Sequence, residues 1–545
     1  MRRESVVEKY DILAKENNAN LYLDRDMINI IAPRDKLVNL ADKIFNEFKT
    51  TFRTCVGIDE RPINGHFSIV YIFTDDQSGI YIALKTYMEA ESPVTPSITS
   101  VVPGSDWCEM EARDMLGIEF TGREYYRLVL PPEWPDGLHP LRKDVPYNVR
   151  VPLKGISEKI TPTTELGVVP IGPYHPALHE PEYFELYVEG ERVVDVKYRG
   201  FHVHRGIEKL AENRMNYQQV NFLAERICGI CGFEHSTCYA LAVEKAARLD
   251  VPERAQYIRS IILEVERLHS HLLWLGVAFH LVGYDTGFMH TWRIREKVMY
   301  VSELLTGSRK TYGINLIGGV RKDIDEDKKQ NVVETLRELK HEFKRFIDVA
   351  VNVPQVKRRL TGTGVLRKED AIKLSVEGPV ARASGINRDA RRDLSYAAYK
   401  YVSFHVPVYT EGDNMARALV RVEEVFESIS MIEQLLDKIP KGPIMLEKYE
   451  IPEGRVGIQV VEAPRGGDIH YVLTGHGKPY RWRVRAPTYS NIPALKYMLR
   501  DQPLADAPLT IASIDPCFSC TDRILIIKNN GARKWLKLAP GVITP

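Results

Sequence analysis

The first 145 residues alternate between short apolar runs and turn signals, as chains of mixed α and β structure do. Residues 66–75 (HFSIVYIFTD) and 79–88 (GIYIALKTYM) are rich in Ile, Val, Tyr and Phe, which favour strands. Three polar residues separate the two runs, and this pattern predicts a β-hairpin. Residues 107–118 (WCEMEARDMLGI) predict a short helix that Gly117 ends, because glycine readily closes a helix.

Further along the chain the period of the apolar positions changes to that of a helix. In residues 251–276 (VPERAQYIRSIILEVERLHSHLLWLG), apolar residues recur every three or four positions, which places them on one helix face. Residues 421–440 (RVEEVFESISMIEQLLDKIP) repeat this spacing and end at Pro440. We therefore expect the second part of the chain to be predominantly α-helical.

Prolines recur between residues 131 and 175, and proline lacks the amide donor that a continuing helix needs. This places a proline-rich linker at residues 146–164. It would join an α+β module at residues 1–145 to a helical domain at residues 165–523, followed by a tail at residues 524–545.

The charge and apolar content exclude several classes of protein. The 545-residue chain carries 74 basic and 73 acidic residues, so it lacks the positive excess of a protein that coats nucleic acid, and we expect no nucleic-acid partner. No run reaches the roughly 18 to 20 apolar residues that span a bilayer, and the first residues do not form a secretory signal. A cytoplasmic location is expected.

Four of the seven cysteines form two Cys-x-x-Cys pairs, in ERICGIC (225–231) and DPCFSC (515–520). Two thiolates three residues apart reach one ion through a tight loop, and they suit zinc, an iron–sulfur cluster, or nickel with iron. Four-cysteine zinc sites usually have about 15 to 20 residues between pairs, far fewer than here. The spacing alone does not choose nickel.

These two pairs, with EAPRG (462–466) between them, resemble the signatures of nickel–iron (NiFe) hydrogenase large subunits. The resemblance spans residues 165–523 and favours the membrane-associated, energy-converting group that is similar to respiratory complex I. Residues 59–73 (DERPINGHFSIVYIF) resemble the 30-kDa subunit of complex I. A 30-kDa-like module fused to a 49-kDa-like hydrogenase domain is the arrangement of the formate hydrogenlyase group.

The resemblance implies a Ni–Fe centre whose iron carries carbon monoxide and cyanide. Cys228 and Cys517 would be terminal nickel ligands, and Cys231 and Cys520 would bridge nickel and iron. The complex I relatives lack these thiol ligands and bind quinone. Without thiolates there is no soft site for nickel, so the retained cysteines favour a hydrogenase.

Three further residues receive roles from the resemblance. Glu180, in HEPEYF, falls at the position of the family's proton-relay glutamate, with Cys520 as its thiolate partner. Arg465, in EAPRG, would direct its guanidinium to the diatomic ligands of iron, because its fork of donors suits cyanide nitrogens. Arg226 would also lie around the centre.

The end of the hydrogenase-like domain departs from many family members. Arg523 stands where they carry a histidine at a magnesium site, and Glu208 matches the family's other magnesium contact. We hypothesise that Arg523 pairs with Glu208 and that its charge replaces the ion. In the family a maturation protease cuts after this position, so residues 524–545 are interpreted as a removable segment.

The sequence therefore predicts a hydrogenase that reduces protons to H₂ reversibly. The resemblance implies an iron–sulfur small subunit with a 4Fe–4S cluster, ferredoxin-like subunits, integral membrane subunits at the inner face of the cell membrane, and a formate dehydrogenase as partners. Two alternatives remain: a complex I-like electron-transfer subunit without hydrogen chemistry, and a scaffold whose thiols hold zinc.

Overall fold

The N-terminal module is built on a five-stranded sheet. The computed structural model describes residues 3–149, 151, 166–175, 178, 180–201 and 204–521. The sheet has the order β1-β2-β5-β4-β3, in which β2 and β5 are parallel and the other neighbours antiparallel. Its strands are β1 (Asn20–Asp24), β2 (Met27–Ile31), β3 (Thr51–Glu60), β4 (His66–Asp75) and β5 (Ile80–Glu89).

Short helices and a small parallel strand pair complete this module. The predicted hairpin is confirmed as β4 and β5, and the predicted helix is confirmed as α4, which ends at Gly117 in a left-handed conformation with φ 74°. The remaining elements are α1 (Arg3–Glu16), α2 (Leu37–Asp42), α3 (Arg61–Asn64), α4 (Asp106–Leu116), β6 (Val94–Pro96) and β7 (Glu119–Thr121).

Both faces of the five-stranded sheet are covered, which explains why every residue of β3 is buried. Alternate side chains of a strand point to opposite faces. Phe67 and Ile69 point into a core with α1, α2 and α4. Val56 and Val70 point the other way, into the core of the second part of the chain. The module is thus packed into the rest of the chain over a whole sheet face.

The described residues of the second part of the chain form long helices and three sheets. Strands β8, β9 and β10 form one sheet, β11 and β12 a short hairpin, and β13, β14 and β15 an antiparallel sheet. Its elements are β8 (Gly167–Ile171), β9 (Tyr183–Glu189), β10 (Arg192–Arg199), α5 (Ile207–Arg214), α6 (Tyr217–Ala224), α7 (Gly232–Ala247), α8 (Glu253–Leu281), α9 (Asp285–Thr306), β11 (Asn315–Leu316), β12 (Gly319–Val320), α10 (Glu326–Ala350), α11 (Pro354–Leu360), α12 (Lys368–Lys373), α13 (Gly378–Ala383), α14 (Ala390–Asp393), α15 (Asn414–Lys438), β13 (Val456–Ala463), β14 (Gly466–Thr474), β15 (Pro479–Arg485), α16 (Pro487–Asn491), α17 (Leu495–Leu499), α18 (Ala507–Ser513) and α19 (Phe518–Thr521).

Helix α8 is the longest helix described in this part of the chain and contacts two other long helices. It packs along α9 and α15, while α7 lies across β13 and β14. The predicted stripes correspond to α8 and α15. The expectation of a predominantly helical domain leaves out the β13–β15 sheet, which lies against the N-terminal module and carries part of the site described below. Among the described helices, none is long and apolar enough to cross a membrane.

Three buried arginines of β15 join this strand to the N-terminal module, one through an ion pair and two through hydrogen bonds to backbone oxygens. Arg483 pairs with Glu111 of α4, and Arg481 donates to the backbone oxygen of Gly57 in β3 at 3.0 Å. Arg485 donates to the backbone oxygen of Arg53 at 2.6 Å. Since an unpaired buried charge is strongly destabilising, these contacts fix how β15 sits against the module. The proposed linker lies largely, and the proposed tail wholly, outside the described residues.

Candidate metal centre

The fold brings the two cysteine pairs together. Cys228 and Cys231 lie on the loop between α6 and α7, and Cys517 and Cys520 lie at the start of α19 and within it. The Sγ atoms of Cys228 and Cys517 are 3.3 Å apart, and the two sulfurs within each pair are 2.9 Å apart. All four side chains are 3% exposed or less. One small, dry volume therefore contains four thiols.

Two backbone amides donate hydrogen bonds to the cluster and thereby stabilise negative charge on one of its sulfurs. The Cys228 sulfur accepts from the amides of Ile230 at 3.2 Å and Cys231 at 3.1 Å. Burial raises the pKa of Cys228, but hydrogen bonds from the other thiols outweigh it and lower that pKa well below its usual value. Burial and the neighbouring sulfur charge hold the pKa of Cys520 well above its usual value.

Hydrogen bonds to Cys228 raise the pKa of Cys231 and of Cys517 well above the usual value, so Cys228 is the thiol of the four that ionises most readily. All four become thiolates only beside a cation, because like charges at this spacing repel strongly. Thiolates are soft ligands, so the donor set fits nickel with iron, and equally a four-thiolate zinc site.

Arg465 supplies a fixed positive charge beside the sulfurs. It lies in the tight turn between β13 and β14, fully buried. Its Nη2 contacts Asp515 Oδ1 at 2.8 Å, its Nε donates to the Asp515 backbone oxygen at 2.6 Å, and its Nη1 donates to Ser270 at 3.1 Å. Burial lowers its pKa, but Asp515 and the cysteine sulfurs raise it well above the ordinary value. The guanidinium is therefore held in place and always charged.

A close approach of two backbones sets this turn. A Cβ on Gly378 would lie 2.3 Å from the Arg465 backbone oxygen, and a Cβ on Gly466 would lie 2.5 Å from the Cβ of Glu377. Both glycines also have positive φ, 63° and 127°, a region that side chains disfavour. The turn that presents Arg465 thus rests on the segment that begins α13.

Glu180 lies at the edge of the cysteine cluster. Its Oε2 accepts from the Ser519 amide at 2.7 Å, and its Oε1 accepts from the Ser519 hydroxyl. The pKa of Cys517 is raised chiefly by its hydrogen bond to Cys228 and by burial, and the nearby Glu180 carboxylate adds to that shift. Glu180 is only partly buried, so it connects the buried sulfurs with the outside of the centre.

Parts of the chain match three known families. Residues 30–151 match the family described as respiratory-chain NADH dehydrogenase, 30 Kd subunit. Residues 282–453 and 444–523 match respiratory-chain NADH dehydrogenase, 49 Kd subunit. Residues 205–289, which contain the first cysteine pair, match nickel-dependent hydrogenase.

Curated relatives extend this match to the whole chain. The chain is 42% identical over 541 residues to formate hydrogenlyase subunit 5 of Escherichia coli (strain K12), covering 97% of this chain and 95% of that protein. It belongs to the NiFe hydrogenase large-subunit family. Hydrogenase-4 component G of the same organism is 44% identical to this large subunit over 480 residues, which cover 86% of this chain and 83% of that protein.

Among solved structures, the large subunit is similar to a chain of the membrane-bound sulfane sulfur reductase, an archaeal respiratory membrane complex. The TM-score is 0.63 at 34% identity, over 66% of this chain and 98% of that chain. Proteins named for different activities thus share this fold, so the fold alone does not assign the chemistry. The reaction must therefore be inferred from the residues of the site.

Arg226 does not join the cluster. Its Nη1 contacts Glu225 at 2.6 Å, its guanidinium lies over the Tyr312 ring, and its side chain is 53% exposed. No contact with a cysteine is found for it within the described part of the chain. The sequence placed it near the centre because it stands two residues before Cys228, but the chain turns between them.

Glu208 has an arginine partner, although Arg523 lies outside the described residues. Its Oε2 accepts from Arg481 at 2.7 Å, and its Oε1 accepts from the Val484 amide at 3.1 Å. The hypothesis that Arg523 also pairs with Glu208 stays a prediction. In the structure, these two hydrogen bonds link Glu208 of α5 to strand β15.

Two acidic residues around the centre, Glu266 and Asp515, were not predicted from the sequence. Glu266, on α8, accepts from the amides of Phe233 at 3.1 Å and Glu234 at 3.0 Å, and so caps the first turn of α7 just after Cys231. Burial raises the pKa of Glu266 to about 7. Asp515 was also missed. The signal that the sequence offers for it is its position two residues before Cys517.

Three histidines of this region, His235, His269 and His271, have different surroundings. His269 and His271, two apart on α8, face different partners: Arg295 at 2.6 Å and Glu424 at 2.7 Å. His235 instead lies near the centre, where a ring nitrogen is within 4.8 Å of the sulfurs of Cys231 and Cys520.

Proposed function

We propose that this chain is the catalytic large subunit of a membrane-associated NiFe hydrogenase that reduces protons to H₂, reversibly, within a formate hydrogenlyase-type complex. The observation that carries the proposal is the convergence of four buried thiols from pairs 289 positions apart. A fixed guanidinium and a partly exposed carboxylate lie beside them.

The protein groups that would hold the centre are the four cysteines. Cys228 and Cys517 would bind nickel, and Cys231 and Cys520 would bridge it to an iron that carries carbon monoxide and cyanide. When bound, this centre supplies the redox chemistry that interconverts H₂ with two protons and two electrons. Arg465, locked by Asp515, would donate to cyanide and keep the diatomic ligands in one orientation.

Proton transfer is assigned to Glu180. Its two oxygens accept from the amide and hydroxyl of Ser519, one residue before Cys520, so the carboxylate is aimed at this end of the cluster. A proton held at the Cys520 sulfur would pass to a Glu180 oxygen and on to the surface. Such a positioned acid or base contributes about 10² to 10⁴ in rate.

Electrons must reach this centre from other polypeptides. We assign that role to an iron–sulfur small subunit with a 4Fe–4S cluster, supplied by ferredoxin-like subunits and, ultimately, a formate dehydrogenase. Integral membrane subunits would hold the chain at the inner face of the cell membrane. Its similarity to formate hydrogenlyase subunit 5 supports this assembly. A maturation protease would cut after Arg523.

Two other functions have specific support. The match to NADH dehydrogenase subunits over most of the chain supports an electron-transfer role without hydrogen chemistry. The four-thiol geometry suits zinc as a structural metal. Neither explains why a buried, locked guanidinium and a proton-transfer carboxylate accompany the thiols.

The test is the metal content of the anaerobically purified native complex, with hydrogen–deuterium exchange measured on the same sample. Nickel near one per chain with exchange activity is expected. Zinc without nickel would make the thiols structural, and a mature chain with neither metal would favour the electron-transfer role.

A second test is by mutation: Cys520→Ser should lose both nickel and hydrogen–deuterium exchange activity. Cys238→Ser is the matched control, because within the described residues this buried thiol donates to the backbone oxygens of Gln459 and Asp468 and lies outside the four-cysteine cluster.

A further inference from the structure

Two free cysteines of the N-terminal module lie on elements that pack against each other. Cys55 belongs to β3 and Cys108 to the first turn of α4, and they are 2% and 3% exposed. Helix α4 packs directly over β3, since a Cβ on Gly57 would lie 2.6 Å from Leu116 Cδ1. The Cys108 sulfur lies 3.7 Å from the Thr54 hydroxyl. Both thiols are therefore in one core, outside the four-cysteine cluster.

Several groups around Cys108 stabilise its thiolate. A hydrogen bond from Cys55 outweighs burial and lowers the pKa of Cys108 below its usual value, and the charge of Arg483 adds to that shift. The start of a helix also favours a negative charge. Burial and the hydrogen bond to Cys108 raise the pKa of Cys55 well above its usual value. Cys108 is thus the nucleophile of the pair, while Cys55 keeps its proton.

Arg483 has an unused hydrogen-bond donor beside these thiols. Its Nη1 contacts Glu111, and its guanidinium carbon lies 5.5 Å from the centre of the Tyr489 ring. Its Nη2 is buried and has no hydrogen-bond partner among the described residues. Because burying a polar group without a partner is costly, an acceptor at this place, such as the Cys108 thiolate or an atom of a bound molecule, would be stabilising.

A cavity of about 320 Å³ gives access to Cys108. It lies at the junction between the N-terminal module and the second part of the chain, with Cys108 and Trp107 on one side and Tyr489 and Tyr497 on the other. Tyr497 is 48% exposed, so the cavity reaches the surface. Small-molecule sites have volumes of about 300 to 1,000 Å³. The cavity therefore has room for a compact ligand next to the thiol.

We propose that Cys108 is a modification site for a low-molecular-weight disulfide that enters this cavity, and that Cys55 then displaces the added group to close a Cys55–Cys108 disulfide. The inference goes beyond the proposed hydrogenase function and does not depend on it, because both thiols lie outside the metal centre.

The chemistry is thiol–disulfide exchange. The Cys108 thiolate attacks one sulfur of the small disulfide, whose S–S bond breaks as the mixed disulfide forms and the first thiolate leaves. The Cys55 sulfur then attacks the Cys108 sulfur and expels the second thiolate, which takes up the proton that Cys55 loses. The first thiolate takes up the proton that Cys108 lost on ionising. The two cysteines are oxidised by two electrons in total, and the small disulfide is reduced to two thiols.

The competing explanation is that both thiols are inert parts of the core, since a buried free cysteine often packs as a small apolar side chain. That explanation predicts no selective reaction at either thiol in the folded complex. It also leaves unexplained why an arginine nitrogen without a partner lies beside a thiol that lines a cavity.

The experiment treats the anaerobically purified native complex with 4,4′-dithiodipyridine, a compact aromatic disulfide. Peptide mapping by mass spectrometry at successive times locates the modified cysteines of this chain. The internal comparison is Cys238, a buried thiol of α7 that donates to the backbone oxygens of Gln459 and Asp468. Cys55→Ser and Cys108→Ser are treated in the same way, with Cys238→Ser as the matched control.

In the wild type, Cys108 is expected to react at least about 10-fold faster than Cys238, because exchange needs both a thiolate and access. A Cys55–Cys108 disulfide should follow. Cys55→Ser should stop at the mixed disulfide on Cys108. Cys108→Ser should leave Cys55 unmodified, and Cys238→Ser should behave as the wild type does.

Reaction of Cys108 no faster than that of Cys238 in the wild type would overturn the modification site, and this comparison depends on no variant. A mixed disulfide that persists on wild-type Cys108 would overturn the role of Cys55. Rapid modification of Cys55 in Cys108→Ser would show that Cys55 is itself the entry thiol, and so would overturn the assignment of Cys108. Nickel measured on the same sample keeps the two proposals apart, since its absence would count against the hydrogenase function alone.

Discussion

Arg53 of β3 is the side chain whose removal should most weaken the join between the N-terminal module and the metal-binding domain. Its Nη1 contacts both oxygens of Glu377, at 2.9 and 3.1 Å, and its Nη2 contacts Asp76 at 2.8 Å. Its side chain is 1% exposed and that of Glu377 is 2% exposed. In Arg53→Met the methionine occupies a similar volume, but two carboxylates lose their cation.

The expected loss can be worked from the partners that remain. Removing one member of a buried ion pair costs about 3 to 5 kcal/mol. Glu377 keeps Arg485 at 3.2 Å and Arg388 at 3.5 Å, so part of its charge stays compensated. We therefore expect the lower end, about 3 kcal/mol of unfolding free energy. Since Glu377 precedes the segment that supports the Arg465 turn, nickel per chain should also fall.

Pulse proteolysis of the full chain across a urea series measures this free energy. Glu377→Gln and the double variant complete a double-mutant cycle. Removing both charges should cost less than the sum of the single changes, with a coupling of about 2 kcal/mol. A loss below about 1 kcal/mol in Arg53→Met, the range of exposed pairs, or additive single changes would refute the view that this ion pair holds the module in place.

Four further outcomes are expected. Glu180→Gln should keep nickel but lower H₂ evolution about 100-fold or more, and full activity in it would remove Glu180 from the proton path. Arg465→Lys, which cannot reproduce the two-pronged contact with Asp515, should lower activity or nickel content at least about 10-fold, and normal values for both would mean that a point charge suffices. Burial lowers the pKa of His271 from 6.5 to about 4, so between those pH values the folded chain binds fewer protons than the unfolded one. Its unfolding free energy should fall by about 3 kcal/mol as pH drops through that window, and His271→Gln should flatten the dependence measured by pulse proteolysis. Arg226→Ala should change the unfolding free energy by no more than about 0.5 kcal/mol and leave the nickel content alone, whereas loss of nickel would restore its place at the centre.

The elements that could be predicted are those that a short stretch of sequence determines by itself. The hairpin of β4 and β5, helix α4 and the stripes of α8 and α15 all follow from side-chain period within one element. The two cysteine pairs could be recognised because each is a short motif. Their contact across the fold was inferred from the family resemblance, since spacing alone does not determine it.

The buried charges could not be predicted in this way. The YRWRVR run reads as exposed because three arginines alternate along it, yet Arg481, Arg483 and Arg485 are all buried on β15. Each is compensated by an acid or carbonyl far away in sequence, and nothing in a local window identifies such a partner. Asp468 could not be placed for the same reason, because its contacts with His235 and Cys238 are with a helix more than 220 positions earlier.

The distance along the chain between the two cysteine pairs has a consequence for folding order. Cys228 and Cys517 are 289 positions apart, and bringing the ends of so long a flexible loop together costs about 5 kcal/mol of chain entropy. Folding of the intervening helices and of the β13–β15 sheet must meet most of that cost before an ion can bridge the pairs. Metal insertion is therefore a late step in biogenesis, and an ion held by both pairs reports that the segment between them has already folded correctly.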